Sequence, residues 1–214
     1  MVIKNRREAG EKLAEKILNI IKGKDAIVLA IPRGGVIVGH VIAKKIGCPL
    51  DVIISKKITP LNYPEYAIGA ITHDGTIYQS ENWELFSHEP NFEEEIRLKK
   101  SEVKRRLEEY RGNSNYDLDN KIVILVDDGI ATGATVFVLL RWLSNQNIKK
   151  IILAIPVIPM DTFKKIKSMV DFVIALETPT EFSAVGQFYE EFDQISDEEV
   201  IKILLNLKNK NHFH

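Results

Sequence analysis

Apolar positions recur every three or four residues over Arg6–Lys22, where Ala9, Leu13, Ile17 and Ile20 are set among Glu8, Glu11, Lys12, Glu15 and Lys16, so an amphipathic helix is predicted there. The next pattern is different. Asp25–Ile31 is a short continuous apolar run of the kind buried on both faces of a parallel sheet, and it stops at Pro32-Arg33-Gly34-Gly35. A second helix, Val36–Ile46, ends at Gly47, the residue type that closes helices in a left-handed conformation. Another apolar run, Leu50–Ser55, leads into Lys56-Lys57 and the polar, proline-containing stretch Thr59–Tyr66. Strand, turn, helix and strand in this order form a right-handed βαβ unit.

Ala67–Gln79 reads as two strands around His73-Asp74-Gly75, where Asp-Gly is a strong short hairpin signal. Over half of Asn91–Arg111 is charged, yet Phe92, Ile96, Val103, Leu107 and Tyr110 keep one apolar stripe. This predicts a long solvated helix lying over the domain or on a partner subunit, with Asn91 and Glu94 as a capping pair and Glu93/Arg97, Glu95/Lys99 and Glu102/Arg106 one turn apart. Gly112–Asn120 is a polar linker. The βα order then resumes through Lys121–Val126, Ala134–Asn145, Ile151–Val157, Asp161–Ser168 and Asp171–Leu176. Ser196, with Glu199 three residues on, announces a last helix over about Asp197–Leu207. The expected architecture is α/β, a doubly wound parallel sheet of about five strands with the hairpin, the charged helix and the chain ends as additions.

Composition narrows the partners. The 214 residues carry 29 Lys+Arg against 30 Asp+Glu, a formal net charge of −1, which argues against a nucleic-acid binder working by bulk charge. The longer apolar stretches, such as Ile151–Pro159, fall short of the roughly 18 residues needed to span a bilayer. Met1–Asn19 is charged throughout and resembles no secretory leader, so a soluble cytoplasmic protein is expected. The single cysteine, Cys48, cannot form an internal disulfide and reads as a structural thiol. His40, His73, His88, His212 and His214 show no metal-ligand spacing, and no zinc site is expected.

In an open α/β sheet, ligands bind beyond the carboxyl ends of the strands. One such turn carries unusual chemistry: Ile122–Thr135 reads IVILVDDGIATGAT, a buried strand, two adjacent carboxylates, then a Gly- and Thr-rich turn opening a helix. Neighbouring carboxylates repel each other and need donors, solvent or a cation. Vicinal hydroxyls of a polyol supply such donors. Beyond them, Ala131-Thr132-Gly133-Ala134-Thr135 offers small residues for close backbone approach, two hydroxyls and a helix N-terminus, which together suit an anion. Carboxylates for a sugar and a nest for a phosphate describe a site for a sugar 5-phosphate. The turn lacks the Gly-Lys-Ser/Thr of a Walker loop, and its acidic residues precede the glycines, unlike a dinucleotide fingerprint.

This arrangement resembles the 5-phosphoribosyl-1-pyrophosphate (PRPP) signature of the type I phosphoribosyltransferase family: apolar strand, acidic pair, two variable residues, then Ala/Thr-Thr-Gly-Gly/Ala-Thr/Ser. The resemblance implies that Asp127 and Asp128 hold the ribose 2- and 3-hydroxyls while Ala131, Thr132, Gly133, Ala134 and Thr135 wrap the 5-phosphate. It further implies that Arg33, Gly34 and Gly35, after the first core strand, bind pyrophosphate. A mobile loop is expected over Lys56–Tyr66, with Lys57 neutralising the departing pyrophosphate and Glu65 as a candidate general acid or base. The implied organisation is one domain over 1–214, with a core over about 25–176, a small hood from 1–22 and 177–214, a flexible hairpin loop and the charged helix 91–111 as an insertion. AIGAITHDG and LETPTEFSAVGQFYEEF look closest to the predicted phosphoribosyltransferases whose acceptor is not assigned.

Ala131 stands where the hypoxanthine-guanine branch carries an acidic residue, so the turn looks like that of the adenine, uracil and amidotransferase branches. The tail Phe182–Phe192 is nonetheless similar to the base-binding region of the hypoxanthine branch, with Phe182, Phe188 or Tyr189 able to stack on a flat ring. The implied reaction transfers 5-phosphoribosyl from PRPP to a nitrogen of a small acceptor, with a nucleobase as the expected class, and releases pyrophosphate. Mg²⁺ is the implied cofactor, held mainly by substrate oxygens and water. A homodimer is expected, with no nucleic-acid or membrane partner. The alternative is a non-catalytic regulator that senses PRPP or a nucleotide on the same fold.

Overall fold

The computed structural model describes residues 2–21, 24–60 and 62–211. Lys22 of the expected first helix, Leu61 of the expected loop, and His212 and His214 lie outside them. In chain order the elements are α1 (Arg6–Ile21), β1 (Ala26–Ala30), α2 (Gly34–Ile46), β2 (Leu50–Val52), β3 (Ser55–Ile58), β4 (Gly69–Thr72), β5 (Ile77–Gln79) and α3 (Trp83–Phe86). There follow α4 (Phe92–Arg111), β6 (Ile122–Val126), α5 (Ala134–Ser144), β7 (Lys150–Val157), α6 (Met160–Ile166), β8 (Phe172–Glu177) and α7 (Asp197–Asn211). They divide into two compact units, one of Met1–Ile53, Asp117–Thr132 and Asn147–His214, the other of Ile54–Tyr116 and Gly133–Gln146.

The first unit is built on a five-stranded sheet in the order β2-β1-β6-β7-β8. Every pairing is parallel, with Ala30 opposite both Val52 and Val126, and Val126 opposite Ala154. All five residues of β6 are buried, as its unbroken IVILV run requires of a strand in the middle of such a sheet. Helices α1 and α2 pack on each other and on this sheet, and Leu13, Ile17, Val38 and Ile42 close a core over Val28, Ile124 and Ile152. Gly47 ends α2 at φ 72°, donating its N–H to Ala43 O at 2.9 Å. The N-terminal segment meets the stretch after β8: Ile3 donates to Phe188 O (2.8 Å), accepts from Glu190 N (2.9 Å), and joins Ala9, Val157 and Tyr189 in a small apolar cluster. Ser196 and Glu199 make the reciprocal cap that opens α7, at 2.9 and 3.2 Å.

The second unit is a three-stranded antiparallel sheet, β3-β4-β5, with α4 and α5 packed on it. The hairpin turn is held by Asp74, whose Oδ1 accepts from Thr76 N (2.9 Å) and Thr72 Oγ1 (2.6 Å), while Gly75 takes φ 101°. Ile58, Ile68, Ile71, Trp83 and Phe92 form its core, with Ile96 packed against them. Helix α5 is apolar nearly all round and nearly all buried, as that composition demands.

Three local expectations need correction. Leu50–Ser55 is not one strand: β2 ends at Val52, and Ser55 opens β3. Lys56 and Lys57 are therefore strand residues, opposite Ile71 and Ala70, and not part of a loop. Lys56 also forms an ion pair with Glu102 of α4. Asn91 has a left-handed backbone (φ 65°) with no side-chain cap, and Glu94 pairs with Arg97 instead, whereas Glu95 and Lys99 pair as expected at 2.9 Å.

Candidate active site

The strand order reverses between β1 and β6, so the turns after these two neighbours open side by side at the carboxyl edge of the sheet. Ile31 N donates to Val126 O at 2.8 Å, which keeps the two chains in register to the last residue before they diverge. The first turn, Pro32–Gly35, contains a cis Pro32–Arg33 peptide and leads directly into α2. Its glycines are required by what lies across from them. A Cβ on Gly35 would stand 2.9 Å from Asp127 Cα, and one on Gly34 would stand 1.8 Å from Asp128 Oδ2. Backbone and carboxylates therefore meet with no side chain between them.

The acidic pair is asymmetric. Asp127 Oδ1 accepts from Asp128 N at 2.8 Å. Burial, and then the negative charge of Asp128, push the Asp127 carboxyl well above the usual carboxylate range, against the smaller opposing pull of that N–H and of Arg6. Asp128 has a cation: Arg6 Nε donates to its Oδ2 at 2.7 Å. Arg6 Nη1 donates to Asp193 O at 2.8 Å, and the guanidinium carbon lies 3.9 Å from the centroid of the Phe192 ring. Tyr189 donates its hydroxyl to Asp128 O at 2.7 Å, and burial pushes that phenol up. In front of the pair is a cleft of about 360 Å³ lined by Arg6, Arg33, Gly34, Asp128, Phe192 and Gln194. Among the described residues the Arg33 side chain makes no hydrogen bond or ion pair.

The other expected residues fall as follows. Ala131 and Thr132 are exposed at the end of the β6 turn, with Ala131 O accepting from Thr162 Oγ1 at 3.1 Å. Gly133 takes φ 84° as it enters α5, and Thr135 is half-buried, its carbonyl accepting from Ser55 Oγ at 3.2 Å. Lys57 and Glu65 are exposed residues of the second unit. Phe182 and Phe188 stack on each other (centroids 5.9 Å, planes 15° apart) against the Ile3 cluster. Tyr189 is only 6% exposed, so its ring offers little face to a ligand; the accessible aromatic on the cleft is Phe192, 39% exposed.

Arg6 and Phe192 were not among the residues expected from the sequence. The signal for Arg6 was present: it stands three, four and seven residues before Ala9, Gly10 and Leu13, so a cation heads the apolar stripe of α1. Burial pushes the Cys48 thiol up to about 11, in keeping with a structural role. His73 is wedged between the rings of Tyr116 and Trp142, and burial lowers its pKa. Among the described residues no helix is long and apolar enough to cross a membrane.

The sequence profile of the phosphoribosyl transferase domain matches residues 3–192. A crystal structure of the protein TT1426 from Thermus thermophilus superposes with a TM-score of 0.80, at 32% identity over 97% of this chain and 99% of that one. Proteins of two Mycobacterium tuberculosis strains, provisionally assigned as phosphoribosyl transferases, are 36% identical over 203 residues. That match takes in 94% of this chain and 46% of theirs, so the chain spans about half the length of these relatives. The AQ2163 protein of Aquifex aeolicus shares the fold alone, at 13% identity over 81% of this chain and 74% of that one, with a TM-score of 0.52.

Proposed function

The chain belongs to the phosphoribosyl transferase domain family, and on that premise we propose that it transfers 5-phosphoribosyl from PRPP to a nitrogen of a small acceptor, releasing pyrophosphate. The observation that carries this reading is the packing of Gly34 on the Asp128 carboxylate. It joins a turn suited to an anion and an acidic pair suited to a diol, the two ends of the bond that breaks.

In this reading Asp127 and Asp128 take the ribose hydroxyls. Burial and the charge of Asp128 push the Asp127 carboxyl well above the usual carboxylate range, while Asp128 is held by Arg6. Ala131–Thr135 take the 5-phosphate, through small residues, two hydroxyls and the free N–H groups of a helix start. Arg33, Gly34 and Gly35 take pyrophosphate, and a guanidinium without a partner among the described residues is the group to hold it. Breaking the C1–O bond leaves positive charge on the sugar ring and negative charge on pyrophosphate, so carboxylates near the sugar and donors around the phosphates each stabilise what develops. Lys57 and Glu65 keep the parts the family resemblance gives them, neutralising pyrophosphate and moving a proton. For the acceptor ring, Phe182 and Phe188 are joined as candidates by Phe192, and buried Tyr189 becomes a support beneath Asp128.

Mg²⁺ is the proposed cofactor, and bound to pyrophosphate it would neutralise the leaving charge. Such a cation would be carried by substrate oxygens and water, which the Arg33–Gly35 turn would hold through the pyrophosphate. The family resemblance also supports a homodimer working in the cytoplasm. The test is pyrophosphate release from PRPP across a panel of purines, pyrimidines and small amines. Release with at least one acceptor is expected; tight PRPP binding with release from none would make the protein a sensor.

A further inference from the structure

We propose that Arg6 is a positioning residue of the ribose subsite, bridging Asp128 to the C-terminal segment at Asp193 and so fixing the carboxylate on which a sugar hydroxyl lands. The inference rests on the ribose assignment above. Its ground is the cost of keeping an arginine where Arg6 stands. The residue is 8% exposed, on the face of α1 that otherwise buries Ala9, Leu13 and Ile17. Buried guanidinium–carboxylate pairs add little net stability, and apolar residues of similar volume commonly replace them without loss. A need for fold stability therefore does not explain the choice of arginine.

What an apolar residue could not do is join three separate segments through one rigid planar group. Nε reaches Asp128 Oδ2, Nη1 reaches Asp193 O, and the flat face rests on Phe192. The residues on the other sides of Asp128 are consistent with a carboxylate held in one place. Tyr189 fixes its backbone carbonyl, Asp127 lies beside it on the same turn, and Gly34 leaves room for the pair, since a Cβ there would also stand 2.8 Å from Arg6 Nε. Arg33, the other cation on the cleft, makes no ion pair with Asp128, so among the described residues Arg6 is the cation that opposes the mutual repulsion of the two carboxyls at contact distance.

The experiment titrates two probes, ribose 5-phosphate and magnesium pyrophosphate, into the wild type, Arg6→Lys and Arg6→Met by calorimetry. Arg6→Met is expected to weaken ribose 5-phosphate about tenfold or more while leaving pyrophosphate within about twofold. Arg6→Lys retains the charge but not the bridge, and its ribose 5-phosphate affinity is expected between the other two. Equal ribose 5-phosphate affinity in wild type and Arg6→Met would overturn the proposal, as would a parallel loss of both probes, which marks a merely structural role. If Arg6→Met does not fold, Arg6→Lys decides: a selective loss of ribose 5-phosphate supports the bridge, and wild-type affinity refutes it. A wild type that binds no ribose 5-phosphate would instead overturn the ribose assignment itself.

Discussion

Gly34 and Asp128 are 94 residues apart in sequence, yet a single methyl group on Gly34 would stand 1.8 Å from the Asp128 Oδ2 oxygen. Two turns of different chemistry are thus packed so closely that one residue has no room for a side chain. Gly34→Ala is expected to push Asp128 off Arg6, costing about 1–3 kcal/mol of stability through overpacking. Affinity for ribose 5-phosphate should fall with it. Thermal melts and calorimetry check both, and a Gly34→Ala protein with wild-type affinity would mean that the closeness serves packing alone.

Asp127 sets the pH dependence. Its carboxyl keeps its proton well above the ordinary aspartate value of about 3.9, because burial and Asp128 disfavour the charge in the folded chain. The unfolded chain loses that proton first, so stability falls as pH rises from about 4 through the raised folded value, and the full cost remains above it. Asp127→Asn is neutral throughout and keeps an oxygen for the Asp128 N–H. It should melt higher than wild type at pH 8, with the two converging near pH 4. A lower melting point for Asp127→Asn at pH 8 contradicts this account.

The Arg33 side chain makes no hydrogen bond or ion pair among the described residues. Arg33→Ala should therefore change stability by no more than about 0.5 kcal/mol. Its expected loss is in magnesium pyrophosphate binding, about tenfold or more. Calorimetry with unchanged pyrophosphate affinity would remove Arg33 from that role.

Cys48, with its thiol pushed up to about 11, holds roughly one molecule in a thousand as thiolate at pH 8. Iodoacetamide labelling followed by mass spectrometry should be slow at pH 8 and accelerate steeply above pH 10. Rapid stoichiometric labelling at pH 8 would show a thiol activated by something other than its surroundings in the folded chain.

Much of the fold was legible because its signals are local. Unbroken apolar runs marked β1, β6 and β7, Gly47 marked the end of α2, and Ser196 with Glu199 marked the start of α7. The turn after β6 was legible for the same reason, since the acidic pair and the small residues following it are contiguous. Lys56 and Lys57 misled because two adjacent lysines read as solvent-exposed loop, whereas pairing with β4 and the charge of Glu102 hold them in a strand. Arg6 is the instructive omission. Its partner is 122 residues away, and only its position at the head of an apolar stripe hinted that the charge was buried for a purpose.

The central claim is that Asp127 and Asp128 are the sugar-binding pair. Its most direct test is the thermal stabilisation given by PRPP with Mg²⁺ to the wild type and to the double variant Asp127→Asn/Asp128→Asn. Stabilisation of the wild type, with none in a double variant that remains folded, is the predicted result; equal stabilisation of both proteins would contradict it.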